Sequence, residues 1–183
     1  MAHRSATALE AGLDHILSSP SDEGRLELIV RRPARNEREV LDEGVLDLEK
    51  GLLGDTWPLR GSSRAADGSP HSDMQLNLMN ARVAALVAID LDRRALAGDQ
   101  LYVDFDLSEA NLPAGSRVAV GEAVIEFTDQ PHRGCAKFAE RFGVDALRFV
   151  NTGDARQLRL RGANANVLVP GTIRPGDPIR KLS

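Results

Sequence analysis

Apolar and polar residues alternate over several short stretches of this chain, which is the pattern of half-buried β-strands. The stretches 26–30 and 74–78 alternate in this way. Two further runs, 117–120 and 123–127, meet at Gly121 and predict a tight hairpin, because glycine tolerates the positive φ that such a turn requires. We expect additional strands within residues 40–48, 101–105, 165–169 and 173–179.

Helical spacing of apolar residues is confined to short segments. The spacing over residues 6–17 predicts one N-terminal helix, which the Ser/Pro/Gly-rich stretch 18–24 ends. Residues 1–24 are therefore predicted to be a helical appendage to a main domain that spans residues 25–183. Further short helices are predicted within residues 81–91 and, on either side of Gly143, within residues 136–150.

The number of short strands, the Gly/Pro-rich turns and the few helices favour a mainly β fold of the α+β class, built around a β-barrel. A chain of 183 residues can bury enough surface for one such domain without disulfides. Cys135 is the only cysteine, so no intramolecular disulfide can form, and a reducing cytoplasmic location is expected.

Charge and hydropathy exclude several classes of function. Arginine dominates the basic residues, twenty against three lysines, but the formal net charge of −4 gives no support for nucleic acid binding. No run approaches the ~20 apolar residues that a membrane-spanning helix needs, and a signal-peptide layout is absent. Residues 61–72 are rich in Gly, Ser and Asp, which predicts an exposed and mobile loop.

Cys135 follows a Pro/Gly-containing approach and precedes a helical pattern, so we expect it in the first turn of a helix at the edge of a pocket. Unpaired backbone N–H groups at a helix N-terminus favour an anion, and His132, Arg133 and Lys137 add positive character nearby. The thiolate should therefore be stabilised, and Cys135 is the candidate catalytic residue. The alternative is a buried structural cysteine.

Five residues are candidate ligand contacts. His132 can orient or deprotonate a ligand, and Arg133 and Lys137 can clamp an anionic group. Asn111, beside Glu109, lies at a strand-to-turn step, where a backbone hydrogen bond is the alternative to ligand binding. His71 belongs to the predicted loop and can close over a pocket or remain solvated.

Metal signals are weak in the spacing of the residues. The sequence has no second cysteine, no His-x-x-x-His pair and no carboxylate cluster with ligand spacing, so no metal site is predicted from the residues alone. Pyridoxal phosphate requires a Schiff-base lysine, and Lys137 is the sole candidate near the expected site, so we do not expect this cofactor.

Five segments occur in an order that resembles the MOSC domain family, named for the C-terminal domain of molybdenum cofactor sulfurase. The resemblance covers residues 25–181 and implies a largely β fold around a barrel. The chain resembles a stand-alone bacterial-type MOSC protein, without the pyridoxal-phosphate sulfurase domain that precedes MOSC in larger relatives. The segments that carry the resemblance are Gly51-Leu52-Leu53-Gly54-Asp55, Glu109-Ala110-Asn111-Leu112, the hairpin 115–128, Gln130 to Cys135, and Arg161-Gly162 to Gly176-Asp177.

The resemblance implies that Cys135 carries sulfur as a persulfide or ligates molybdenum in the pterin cofactor. Three hypotheses stay open at this point. The chain is a sulfur carrier or transferase supplied by a cysteine desulfurase, a molybdenum-cofactor-binding reductase of N-hydroxylated compounds with a separate electron-transfer protein, or a non-catalytic module that binds a small anion or a partner protein. A small-molecule ligand is common to the first two.

Overall fold

The first and last strands of the chain pair with each other and close the main sheet into a barrel. A computed structural model describes residues 3–61 and 67–182. Strand β11 (Pro178–Lys181) pairs with both β1 (Glu23–Arg31) and β7 (Arg117–Val120), so seven strands form a closed cylinder. The predicted mainly β barrel with a few short helices is confirmed.

The main sheet has the order β11-β7-β8-β9-β5-β6-β1-β2, in which β2 extends the edge beside β1 and only β5 and β6 pair in parallel. A second sheet of three strands has the order β10-β3-β4. The remaining strands are β2 (Glu39–Leu41), β3 (Gly44–Asp47), β4 (Gly51–Leu52), β5 (Leu76–Asn80), β6 (Leu101–Asp104), β8 (Ala123–Phe127), β9 (Ala163–Val169) and β10 (Gly171–Ile173).

Within the described residues, five α-helices pack on the outside of the barrel. Short 3-10 turns lie at Trp57–Leu59, Ser72–Met74, Leu91–Ala97 and Gly153–Ala155. The helices are α1 (Ala6–Glu10), α2 (Leu13–Leu17), α3 (Ala81–Ala88), α4 (Ala136–Phe142) and α5 (Val144–Asn151).

The alternation of the strands produces two separate apolar cores. On β5, Leu76 and Leu78 point into the barrel, whereas Met79 points outward into a second core that the helices cover. Asn77 lies between the two leucines and is also buried, so the outer surface of the barrel carries a polar position beneath the helical layer. This outer polar position becomes part of the candidate site.

The N-terminal segment is more broken than its apolar spacing predicts. The single helix expected over residues 6–17 is two helices, separated at Gly12. A side chain at Gly12 would meet the side chain of Leu86 at 2.7 Å, so glycine allows the break between the two helices to pack closely against α3. The predicted division of helices at Gly143 and the hairpin at Gly121 are confirmed.

Two sequence predictions concern the loop and the membrane. The mobile loop expected over residues 61–72 includes residues 62–66, which lie outside the described residues. Of its other positions, 61, 67–69 and 72 are exposed as predicted, whereas the mobility stays a prediction. Among the residues that are described, no helix combines the length and the apolar content that crossing a bilayer requires.

We predict that Leu9→Ala destabilises the whole protein by about 2–4 kcal/mol, because Leu9 is fully buried in the outer core with residues of α3, α4 and α5. Leu17→Ala is the matched control, since Leu17 is 52% exposed and its truncation leaves little cavity. Urea unfolding followed by circular dichroism measures both variants. Equal stability of Leu9→Ala and wild type would mean that the N-terminal helices do not stabilise the barrel.

Candidate functional site

Cys135 stands immediately before helix α4, on the wall of a cavity of about 640 Å³. The residue is exposed and extended, with φ −120° and ψ 178°, and its carbonyl oxygen accepts the backbone N–H groups of Phe138 and Ala139. Within the described part of the chain, its thiol caps no backbone N–H of the helix. The buried structural cysteine is therefore wrong, and the thiol lies one residue before the predicted first turn.

Basic residues dominate the wall of this cavity, hereafter the main cavity. They come from three parts of the fold: the end of β1 with the loop after it, the turn after β4, and the region of α4 and β9. Eight arginine and lysine side chains line it, namely Arg32, Arg35, Arg38, Arg60, Arg133, Lys137, Arg141 and Arg161.

Most of these cations lack a carboxylate partner. Arg32 pairs with Asp55 and Arg161 with Asp99. The other six form no ion pair with any carboxylate in residues 3–61 and 67–182. Excess positive charge held in one concavity favours an anionic ligand, because the ligand relieves the repulsion.

Burial and neighbouring positive charges lower the pKa values of two arginines in the main cavity. Burial lowers the pKa of Arg38, and the neighbouring charges of Arg141 and Arg32 lower it further. Burial and the charge of Arg32 likewise lower the pKa of Arg60. The Nε atom of Arg38 is buried without a hydrogen-bond partner among the described residues. An anion in the main cavity would therefore improve the surroundings of both arginines.

A buried arginine fixes one side of the main cavity. The Nε and Nη2 atoms of Arg32 donate to the two oxygens of Asp55 at 2.8 and 2.9 Å, and Nη1 donates to Asn77 Oδ1 and the Gly98 carbonyl, each at 2.9 Å. Asn77 in turn donates to Asn164 at 2.6 Å. Burial would raise the pKa of Asp55, but the hydrogen bonds and charge of Arg32 lower it.

A second buried pair holds His132. Arg161 Nη1 lies 2.9 and 2.8 Å from the two carboxylate oxygens of Asp99, and His132 Nε2 lies 2.7 Å from the first of them. Burial would raise the pKa of Asp99, but the charges of Arg161 and His132 and their hydrogen bonds hold it at about 2. The guanidinium of Arg161 also stacks 5.0 Å from the ring centre of Phe138 on α4.

His132 is held as a neutral imidazole. Burial and the charge of Arg161 lower its pKa, and together they outweigh Asp99, which acts in the opposite direction. Because Asp99 is ionised, the shared proton resides on Nε2, which donates to Asp99. The other ring nitrogen, Nδ1, is left as an acceptor. His132 lines the same cavity as Cys135.

The fold brings together four of the sequence-predicted site residues. Cys135, His132, Arg133 and Lys137 line the main cavity, and Lys137 Nζ donates to Asn36 at 3.2 Å. In the region that the structure describes, no group of three or more His, Cys, Asp or Glu side chains is placed to hold a metal ion.

Asn111 and His71 lie elsewhere. Asn111 donates to the carbonyls of Ser21 and Asp106 and accepts from Lys181, so its amide ties loops together, and it is absent from the wall of the main cavity. His71 precedes the Ser72–Met74 turn, also away from that wall. Their proposed ligand contacts gain no support from these positions.

Sequence reasoning missed most of the cavity. It identified only the cations beside Cys135, whereas Arg32, Arg35, Arg38 and Arg60 are contributed by a segment about a hundred residues earlier in the chain. The signal was the unusual density of arginine over residues 31–38 in a chain with few lysines. No such indication exists in the sequence for Asp99, because its contacts with His132 and Arg161 depend on its burial in the fold.

The fold and the main cavity together define a small closed β-barrel protein with an exposed thiol set among arginines. Residues 72–180, more than half of the chain, match the family model of the MOSC domain. The chain therefore belongs to the MOSC family.

Solved structures show the same fold. YuaD from Bacillus subtilis is 17% identical with a TM-score of 0.63, and the match covers 86% of this chain and 94% of that one. YiiM from Escherichia coli is 22% identical with a TM-score of 0.53, over 87% of this chain and 70% of that one. At these identities the similarity establishes the fold alone. Among curated protein sequences, none matches this chain significantly.

We predict that the protein loses stability as the pH falls from about 7 to 5, by up to ~1.4 kcal/mol per pH unit, because of His132. Its folded pKa lies below the ordinary 6.5, so the unfolded chain binds the proton more readily. The stabilising contribution of neutral His132 is complete above pH 6.5 and disappears as the pH falls through the lowered folded value. Asp99 acts in the same direction, but only between its ordinary 3.8 and about 2.

Urea unfolding of His132→Gln over the same pH range tests this origin, because glutamine can still donate to Asp99 but does not titrate. We expect a flatter dependence in this variant. His15→Gln, at an exposed helical position, is the matched control and should keep the wild-type slope. Parallel curves for wild type and His132→Gln would contradict the assignment to His132.

Proposed function

We propose that this protein is a sulfur carrier or sulfurtransferase in which Cys135 forms a persulfide and delivers its sulfur to an anionic acceptor. The observation that supports this most is the position of an exposed thiol in a cavity with six cations that have no carboxylate partner among the described residues. Such surroundings favour anionic donors and acceptors.

The transfer step is balanced without an added oxidant or reductant. The Cys135 thiolate attacks the terminal sulfur of a donor persulfide, and a new S–S bond forms as the donor S–S bond breaks. The donor leaves as a thiolate. His132 lines the same cavity as Cys135, and its Nδ1 is not engaged by Asp99, so it is the candidate acceptor of the thiol proton. The donor protein that this role requires is a partner such as a cysteine desulfurase.

The MOSC family is associated with molybdenum cofactor chemistry, and the residues of the main cavity fit such a group. A thiolate is a suitable ligand for a soft metal, and arginines such as Arg38 and Arg60 suit a phosphate. Cys135 would hold the metal, and these two arginines would hold the phosphate. When bound, the cofactor supplies a redox-active molybdenum centre.

A second candidate function is a molybdenum-cofactor-binding reductase of N-hydroxylated compounds, which depends on a separate electron-transfer protein. The volume of the main cavity, about 640 Å³, supports this alternative, because a single transferred sulfur atom needs far less space. In either role the free thiol needs a reducing compartment, so we propose a cytoplasmic location.

We predict that incubation with a persulfide donor adds the mass of one sulfur atom to the intact protein, and that Cys135→Ser abolishes the addition. Mass spectrometry under non-reducing conditions measures the adduct, and dithiothreitol should remove it. A serine variant that still gains sulfur would contradict the role of Cys135. A wild-type thiol that gains none would favour the non-catalytic anion-binding module instead.

We also predict that Cys135 is alkylated faster at neutral pH than a model thiol, and that replacing both Arg133 and Lys137 by alanine slows alkylation by about threefold, because each exposed charge contributes modestly. Arg148→Ala is the matched control, since Arg148 is an exposed arginine on neighbouring α5 that does not line the main cavity. Equal rates in all three proteins would show that local charge does not activate the thiol.

Metal analysis separates the two candidate functions. In protein purified from a molybdenum-replete host that makes the cofactor, the reductase predicts molybdenum that approaches one atom per chain and is lost in Cys135→Ser. The carrier role predicts sulfur on Cys135 without stoichiometric molybdenum. Mass spectrometry and elemental analysis of the same preparation provide both readouts.

A further inference from the structure

A second and smaller cavity lies behind the wall that carries His132. Its volume is about 190 Å³, and His132, Arg133 and Arg161 line both this cavity and the main cavity. Cys135 lines only the main cavity. The small cavity is therefore a neighbouring compartment that shares a wall with the thiol site.

We propose that the small cavity binds one tetrahedral oxoanion, of the size and charge of sulfate or phosphate. This site is additional to the proposed sulfur carrier function and does not depend on it. Three features of the small cavity support an oxoanion: its guanidinium groups, their charge balance and the available volume.

Arginines supply the donors. Arg133, Arg156 and Arg159 line the small cavity and form no ion pair with a carboxylate anywhere in the described chain. Arg161 also lines it, is only 6% exposed, and has a buried Nε atom without a hydrogen-bond partner among the described residues. Guanidinium groups bind oxoanions through paired N–H donors.

Arg159 is held in place before any ligand arrives. Its Nη1 donates to the Leu112 carbonyl at 2.7 Å, and its guanidinium lies 6.0 Å from the ring centre of Phe127. The residue has a φ of 48°, a left-handed conformation that costs energy for any residue other than glycine. This strained backbone and these contacts fix a cation at the small cavity, which lowers the entropic cost of binding an anion.

Charge and volume limit the ligand to one small anion. Two carboxylates, Glu109 and Asp129, also line the small cavity, so they offset part of the charge of its three unpaired arginines. The volume of about 190 Å³ accommodates a tetrahedral oxoanion and is less than a third of the main cavity. A nucleotide or a pterin is therefore too large for the small cavity and fits only the main cavity, whereas a simple oxoanion fits the small one.

The backbone at Gly162 brings the wall of the small cavity close to two neighbouring groups. Gly162 has a φ of 118°, and a side chain there would collide with the Leu78 carbonyl and press on the His132 ring at 3.1 Å. The glycine therefore lets this part of the wall approach both groups closely.

Site-resolved NMR tests the proposal on the full chain. Sulfate and phosphate are titrated separately into ¹⁵N-labelled protein, and backbone amides report each cavity by itself. Asn151 and Ala163 report the small cavity, and Asn36 and Gly98 report the main cavity. We expect saturable shifts at Asn151 and Ala163 with at least one of the two anions, and the anion with the lower Kd identifies the preferred ligand.

Two variants assign the binding to the small cavity. Arg156→Gln should raise the Kd reported by Asn151 and Ala163 about tenfold, as expected for loss of one charged hydrogen-bond donor, and Arg156→Lys should recover part of it. Arg60 lines the main cavity and not the small one, so Arg60→Gln should leave that Kd unchanged. Arg156 is exposed, and unshifted distant amides verify that the variant folds.

The proposal is overturned if neither anion shifts Asn151 and Ala163. It is also overturned if the Kd reported by those amides rises in Arg60→Gln but is unchanged in Arg156→Gln, since the anion then occupies the main cavity alone. Because the amides respond without any sulfur chemistry, the titration can be repeated in Cys135→Ser. Failure of sulfur loading and failure of oxoanion binding are thus separate results.

Discussion

Two buried arginine–carboxylate pairs hold the site together, and the rest of the main cavity depends on them. Arg32 with Asp55, and Arg161 with Asp99, connect β1, the turn after β4, the loop before β6 and the start of β9. Buried ion pairs add little net stability, because desolvation offsets their attraction, but loss of one partner costs about 3–5 kcal/mol. Their value here is geometric, since they fix two guanidinium groups and one imidazole in the lining of the main cavity.

These pairs also explain how the fold tolerates so many cations in one place. The two arginines that lie deepest are neutralised by carboxylates of their own, whereas the unpaired cations are placed nearer to solvent, where water screens their repulsion. Burial, and after it the charges of Arg141 and Arg32, lower the pKa of Arg38, so the cavity disfavours the charged form of this arginine. The fold thus retains an unfavourable electrostatic energy that an anionic ligand reduces, which is how a binding site differs from an ordinary charged surface.

The barrel could be predicted from the sequence because its strands obey a local rule. Alternation, the glycine turn at Gly121 and the break at Gly143 need no knowledge of distant residues. The thiol could be identified for the same reason, as a single cysteine before a helical pattern. The main cavity could not be predicted from the sequence. Arg32, Arg38 and Arg60 line the same cavity as Cys135 only after β1 has paired with β6. The lowered pKa of His132 could not be predicted either, since it depends on burial and on the charges of Arg161 and Asp99.

Two parts of the chain line the main cavity, one inside the segment that matches the MOSC domain and one before it. Cys135, His132, Asp99 and Arg161 all lie within the segment that matches the MOSC domain, whereas Arg32, Arg35, Arg38 and Arg60 precede it. The exposed thiol therefore belongs to the matched segment, and half of the cations that line the main cavity belong to the part before it. Few side-chain hydrogen bonds join the two parts within the described residues: Arg32 donates to Asn77 and to the Gly98 carbonyl, and Lys137 donates to Asn36. Substitutions at Arg35, Arg38 or Arg60 can therefore change the charge of the cavity while His132 keeps its contact with Asp99.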